Sequence, residues 1–343
     1  MTDILNLIQN RCFIIAEAGV NHNGDINIAK KLVDKAKEAG VDAIKFQTFR
    51  AENLVTKEAP KAEYQKETTG DGSQFEMLKK LELSLEDHII LKKYCEEKGI
   101  MFISTPFDYE SVDLLEKTDV SLYKVSSGDL TNLPLLSYIA NKNKPIILST
   151  GMANLGEVEE AVETISKAGN DRIILLHCTS NYPTAYEDVN LRAMLTMKEA
   201  FKLPVGYSDH TIGIEIPIAA VALGAKVIEK HFTLDRNMKG PDHRASIEPD
   251  ELKIMVRSIR NIEKAMGDGI KRCNKSEENI RKVARKSIVA GRDISKDEVI
   301  TINNISFKRP EFGLKPKYVD LVVGKKARRN IKVNEFITFN DVE

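Results

Sequence analysis

Cysteine is sparse and unpatterned in this chain. Cys12, Cys95, Cys178 and Cys273 stand far apart, with no C-x-x-C and no pairing rhythm. That spacing excludes a disulfide framework and a zinc knuckle, and leaves reduced thiols. The longest apolar stretches, such as 216–225, fall short of the ~20 residues that a membrane helix needs. The opening residues, MTDILNLIQNR, lack the charged, apolar and small-residue regions of a secretory signal, so a cytoplasmic protein is expected. Net charge is absent too: 51 Lys+Arg balance 51 Asp+Glu, which removes the global signature of a nucleic-acid binder. Disorder is excluded, because 42% hydrophobic residues in a chain of 343 suffice for a large core.

The zero net charge hides a split. Residues 271–343 hold 18 Lys+Arg against 10 Asp+Glu, a net of +8, and residues 1–270 hold 33 against 41, a net of −8. A basic tail is a solvated face, a nucleic-acid surface or a segment that docks on an acidic partner, within a chain or between subunits. The balance of the two charges favours docking.

Eight β-branched apolar runs alternate with longer amphipathic ones: 13–19, 43–47, 101–106, 122–127, 145–151, 173–178, 204–209 and 227–233. Helical patterns lie between them, as at 28–39, 85–98, 156–168 and 214–223, with Gly40, Gly99, Gly169 and Gly224 as stops. Eight such units in about 250 residues predict a (β/α)8 TIM barrel. The competing doubly wound sheet is disfavoured because no G-x-G-x-x-G follows a strand. The expected domains are a catalytic barrel over 1–268, a polar linker over 269–282 and a small β-rich module over 283–343. Within the module, 292–305 repeats without gaps as 329–342, with identities such as Arg292/Arg329, Ile294/Ile331 and Glu298/Glu335, which predicts a pseudo-twofold fold.

In a barrel the chemistry belongs at the C-terminal ends of the strands. Those ends carry Glu17, then Lys45 and Gln47 two apart on one face, Lys124 with Ser127, Ser149, Ser208 with His210, and Glu229 with His231. A lysine inside an apolar strand needs an anion. One of them would be a salt bridge to Glu17, Glu229 or Asp209; Lys45 and Lys124 together, with hydroxyls alongside, look more like a phosphate pocket. His210 and His231 end adjacent strands and are either satisfied core residues or ligands of one divalent cation. A two-histidine site leaves positions open for a carbonyl oxygen.

The strings AEAGVNHNG (16–24), KFQTF (45–49), FISTPF (102–107), KVSSGD (124–129), ILSTGM (147–152), HCTSNYPT (177–184), GYSDHT (206–211), EKHFTLD (229–235) and GPDH (240–243) resemble the sialic acid synthase family, including its legionaminate and pseudaminate branches. The C-terminal module resembles that family's antifreeze-like SAF domain. The resemblance implies condensation of phosphoenolpyruvate with an N-acylated hexosamine to a nine-carbon 2-keto sugar acid and phosphate. It implies that Lys45, Thr105, Lys124, Ser127, Ser149 and Ser208 hold phosphoenolpyruvate, and that His210 and His231 hold Mn2+, or Mg2+ or Co2+ in its place. Glu17 is then the acid/base group, Gln47, Tyr182 and Asp242 orient the sugar, and Arg309 of Lys308-Arg309-Pro310 reaches the N-acyl group from the partner of a domain-swapped homodimer. Neither nucleic acid nor membrane is an expected partner. Departures from the family pattern are Glu311-Phe312-Gly313 after that arginine, Asp129, and Ser180-Asn181. A synthase acting on a phosphorylated sugar would need further barrel arginines, and a silent sugar-binding or ice-binding protein would need none of these strand-end groups.

Overall fold

The computed structural model describes residues 3–343. The chain divides into two compact units, 1–267 and 268–343. In the first, eight parallel strands run in chain order: β1 (Phe13–Gly19), β2 (Ala43–Thr48), β3 (Met101–Pro106), β4 (Tyr123–Val125), β5 (Ile146–Ser149), β6 (Ile173–Cys178), β7 (Val205–Asp209) and β8 (Val227–His231). Each strand pairs with its sequence neighbour and β1 pairs with β8, while β3 and β4 lie side by side without ladder bonds. This is a TIM barrel with one loose seam. Four expected strands are shorter than the sequence runs that announced them, because 122, 126–127, 145, 150–151, 204 and 232–233 lie in connecting turns.

Strand parity sorts the core. Phe13 and Ile15 of β1 point into the barrel with Ala43, Ile103, Leu122, Ile147, Ile174, Leu176 and Val227, and Ile4 and Ile8 of the helix Ile4–Asn10 pack with this layer. The intervening residues, Ile14, Ala16, Ile44, Phe102, Tyr123, Leu148, Leu175 and Ile228, pack outward against the helices. At Gly206 a Cβ would lie 2.3 Å from the Val227 carbonyl oxygen, so only glycine fits where β7 crosses the interior layer.

The helices begin and end where their chemistry dictates. Ser84 caps Leu85–Lys98 and Asp87 returns the bond, and Gly99 closes that helix in the left-handed region at φ +66°. Between β2 and that helix lies a long excursion with three short helices, Ala51–Leu54, Glu63–Thr69 and Gln74–Lys79. Among the described residues no helix is long and apolar enough to cross a membrane.

The second unit contains an antiparallel pair, β9 (Ser287–Ala290) and β10 (Ile305–Lys308). The segment expected to be a linker instead carries a helix over Glu278–Ala284, exposed on nearly every face; a polar, aromatic-poor stretch is equally what a solvated helix looks like. The repeat is a true pseudo-twofold. Ile294 and Ile331 exchange both backbone bonds (2.9 and 2.8 Å), and Arg292–Glu298 and Arg329–Glu335 are matching ion pairs at 2.7 Å.

Candidate active site

The inward parity that is apolar at the base becomes polar at the top. Glu17, Lys45, Gln47, Thr105, Lys124, Ser149, Ser208, Glu229 and His231 all continue the inward rows begun by the interior apolar layer. Lys45 Nζ lies 2.7 Å from Glu17 Oε2, donates to Thr105 Oγ1 at 3.1 Å, and stands 3.8 Å from Glu229. Lys124 Nζ donates to Ser149 Oγ at 2.6 Å and to the Val125 carbonyl at 3.0 Å, and stands 3.8 Å from the same Glu229. Ser208 Oγ donates to Glu229 Oε1 at 3.0 Å. Glu229 therefore sits between two ammonium groups at a distance that leaves each short of a close ion pair.

Asp209, one expected partner for these lysines, faces the other way. It forms a short, fully buried pair with Lys230, whose Nζ also donates to the Thr211 carbonyl at 2.7 Å. That pair is structural. Ser127 does not touch Lys124. It accepts from the Gly151 N–H at 2.9 Å and lies 3.1 Å from Cys178 Sγ, so a buried thiol lines the pocket as well. The motifs give Cys178 no site role and Glu229 only that of a possible lysine partner, yet both fall on the inward parity of their strands.

Burial governs the electrostatics. It pushes Glu17 up to about 7 against the pull of Lys45, with Glu229 adding to the rise. Burial also lowers Lys124 below the ordinary lysine value. Lys45 suffers the same penalty, but Glu17 and Glu229 outweigh it and hold its ammonium above the ordinary value. Glu229 is opposed by burial, which Lys124 and Lys45 overcome to keep it ionised.

Beyond Ser208 and Glu229, at the ends of the same two strands β7 and β8, the site becomes aromatic. The Tyr182 ring lies 4.2 Å from that of His210 and 5.4 Å from that of His231, and the two imidazoles are 5.5 Å apart. His210 Nδ1 meets the Thr179 carbonyl at 2.7 Å. A carbonyl only accepts, so Nδ1 carries the proton and Nε2 keeps its lone pair. His231 Nδ1 is buried without a hydrogen-bond partner, 4.0 Å from Asp242 Oδ2. Burial holds both imidazoles below their ordinary value, and so neutral. Neutral rings with free nitrogens are what a divalent cation requires, so the donor set fits one. Among the described residues no cluster of three or more His, Cys, Asp or Glu forms a closed metal cage.

Asp242, raised to about 6 by burial, completes the rim. Gly19, at φ +52°, leaves a notch there: a Cβ on it would lie 3.2 Å from Glu17 Oε1, 3.4 Å from Gln47 Nε2 and 3.7 Å from Asp242 Oδ2. Gln47 itself reaches Glu17 at 3.4 Å. Arg309 lies in the second unit, exposed just beyond β10.

The chain has known relatives. The model of the NeuB family matches residues 32–271 and that of the SAF domain matches 285–343. The chain belongs to the NeuB family. It is 54% identical to the N,N'-diacetyllegionaminic acid synthase of Campylobacter jejuni, over 96% of this chain and 99% of that one. It is 49% identical to the synthase of the same name from Legionella pneumophila, over 97% and 95%. The crystal structure of the N-acetylneuraminic acid synthetase of Leptospira borgpetersenii superposes with a TM-score of 0.70 at 39% identity, over 79% of this chain and 90% of that one.

Proposed function

We propose that this NeuB-family chain is an N,N'-diacetyllegionaminic acid synthase, which condenses phosphoenolpyruvate with a 2,4-diacetamido-6-deoxymannose to give a nine-carbon 2-keto sugar acid and phosphate. Identities of 54% and 49% to two enzymes of that name, against 39% to the sialic acid synthetase, support this branch. The observation that carries the chemistry is the pair of buried lysines at the barrel mouth, each donating to a hydroxyl, with the Ser208 hydroxyl on the Glu229 between them.

Lys124, Ser149, Ser208, Lys45, Thr105 and Ser127 hold phosphoenolpyruvate. A buried ammonium gains most from a dianion brought to it, and the 3.8 Å gaps to Glu229 leave Lys45 and Lys124 donors to spend on one. Gln47, Tyr182 and Asp242 orient the open-chain sugar. His210 and His231 hold a divalent cation, Mn2+ or in its place Mg2+ or Co2+, which when bound supplies Lewis-acid polarisation of the aldehyde. C3 of phosphoenolpyruvate bonds to the aldehyde carbon, whose oxygen takes a proton. Glu17 removes a proton from the water that adds at C2; the C2–O bond to phosphate then breaks, the new hydroxyl collapses to the ketone, and phosphate leaves. A carboxyl near 7 is matched to that exchange at neutral pH. Arg309 serves the partner's sugar in a domain-swapped, cytoplasmic homodimer, a reading that the −8 and +8 halves support.

The test is phosphate release from phosphoenolpyruvate with Mn2+ and either sugar or none. Release with 2,4-diacetamido-6-deoxymannose and not with N-acetylmannosamine is expected. Release with N-acetylmannosamine alone moves the chain to the sialic branch, and release with neither sugar overturns the reading.

A further inference from the structure

Apart from Asp242, two motifs remain without a task, Asn21-His22-Asn23-Gly24 after β1 and Gly240-Pro241-Asp242-His243 after β8. The structure joins them. The β8 excursion is closed at its base, where Thr233 N–H meets the Ile247 carbonyl at 3.0 Å and Ile247 N–H meets the His231 carbonyl at 2.9 Å. On one flank its tip borders open space: Lys239, Gly240 and Pro241 line a cleft of about 700 Å³ shared with Asn23, Lys61 and Met77. Base closure alone therefore does not fix where Asp242 points.

The β1 turn supplies what is missing. Asn21 is buried, and its Nδ2 donates to the Phe232 carbonyl at 2.9 Å and to Ser246 Oγ at 3.0 Å. The Phe232 carbonyl only accepts, so that Asn21 atom is the amide nitrogen, and both its protons are used. Ser246 must then accept from Asn21 and donate onward, which it does to the Asp242 carbonyl at 2.7 Å. This chain of bonds has only one direction. A second strut runs in parallel: His243, fully buried, meets Thr233 Oγ1 at 2.6 Å through Nδ1 and Asn23 Oδ1 at 3.2 Å through Nε2. The two struts hold Asp242 by its own carbonyl and by the next residue, His243, from the turn that follows the strand carrying Glu17.

We propose that Asn21, Ser246, His243 and Asn23 form a latch that sets the Asp242 carboxylate against Glu17 and Gln47, and so act as positioning residues for the acceptor sugar. The inference rests on the reading of Asp242 as a sugar contact. None of the four hydrogen-bonds to the lysines and hydroxyls of the pocket.

The test is steady-state kinetics of the full-length, metal-loaded enzyme carrying Ser246→Ala, Asn23→Ala or Asp242→Ala, and of the double variant Ser246→Ala/Asp242→Ala. Ser246→Ala and Asn23→Ala should each raise KM for the sugar about tenfold, as loss of a supporting contact does, with KM for phosphoenolpyruvate unchanged. Adding Ser246→Ala to Asp242→Ala should change nothing further, because the residue acts only through Asp242. Equal losses for both substrates, or additive losses in the double variant, overturn the latch while leaving the synthase reading intact. An Asp242→Ala enzyme with normal sugar KM overturns the sugar contact and the latch together.

Discussion

Replacing Glu17 by glutamine separates what this carboxyl does for chemistry from what it costs the fold. Its Oε2 lies 2.7 Å from Lys45 Nζ, yet burial outweighs that pairing and raises it from 4.5 to about 7. As pH climbs through 4.5 the unfolded chain gives up this proton while the folded chain keeps it, so the carboxyl's drain on stability starts there, grows to about pH 7 and is constant above. At 1.36 kcal/mol per unit, the drain at pH 8 is about 3 kcal/mol. Glu17→Gln removes it, since the amide resembles the protonated acid in shape and charge. The metal-free variant should therefore melt about 6 °C above the parent at pH 8, at roughly 2 °C per kcal/mol for a unit of this size, and level with it near pH 4.5. Turnover should fall by at least about a hundredfold, the usual contribution of a general acid or base. Thermal melts from pH 4.5 to 8, beside phosphate-release assays, decide the matter. A variant less stable than the parent at pH 8, or a difference that does not vary with pH, would refute the reasoning, because the ion pair with Lys45 would then outweigh burial.

Lys124→Met should raise KM for phosphoenolpyruvate by roughly 10- to 100-fold, the worth of charged hydrogen bonds, without lowering the melting temperature; Lys230→Met should do the reverse, leaving Asp209 a buried, unpaired charge. Gly19→Ala fills the notch beside Glu17, Gln47 and Asp242, so kcat should drop while calorimetric affinity for phosphoenolpyruvate holds; unchanged kcat would mean that no reacting group uses that space. Arg309→Ala and Glu17→Gln, each inactive alone, should recover activity when their subunits are mixed and exchanged if the arginine works in trans, and should stay inactive if it works within its own chain.

Strand period made the barrel legible. Eight apolar runs with helix stops are a local signal, and the repeat at a 37-residue offset is a simple alignment that the Ile294–Ile331 pairing bears out. Most of the candidate site followed from strand ends alone. Parity carries further than motifs: counting from Phe13, Leu176 and Val227 in steps of two lands on Glu17, Cys178 and Glu229, and so adds Cys178 to the pocket. What stayed hidden depends on distance between loops. Asn21 and Ser246 are 225 positions apart, and nothing local in either segment says that one donates to the other. No motif names the partner of each lysine, because Asp209 and Glu229 are both carboxylates on neighbouring strands; parity, outward or inward, assigns Asp209 to Lys230.

That assignment explains how the three lysines buried on the barrel strands divide, one held by structural partners and two left for the proposed chemistry. Lys230 has a carboxylate in close contact and a carbonyl at 2.7 Å, so its charge is neutralised by groups that do not move, and it has little left to offer a ligand. Lys45 is half committed, to Glu17, which is itself reluctant to ionise. Lys124 has hydroxyl and carbonyl acceptors but no carboxylate nearer than 3.8 Å, and its lowered pKa records the shortfall. Burying an under-neutralised ammonium costs stability in the empty enzyme. The cost is relieved when an anion arrives, so the relief becomes binding energy for that anion, directed to Lys124 beside the Ser149 hydroxyl.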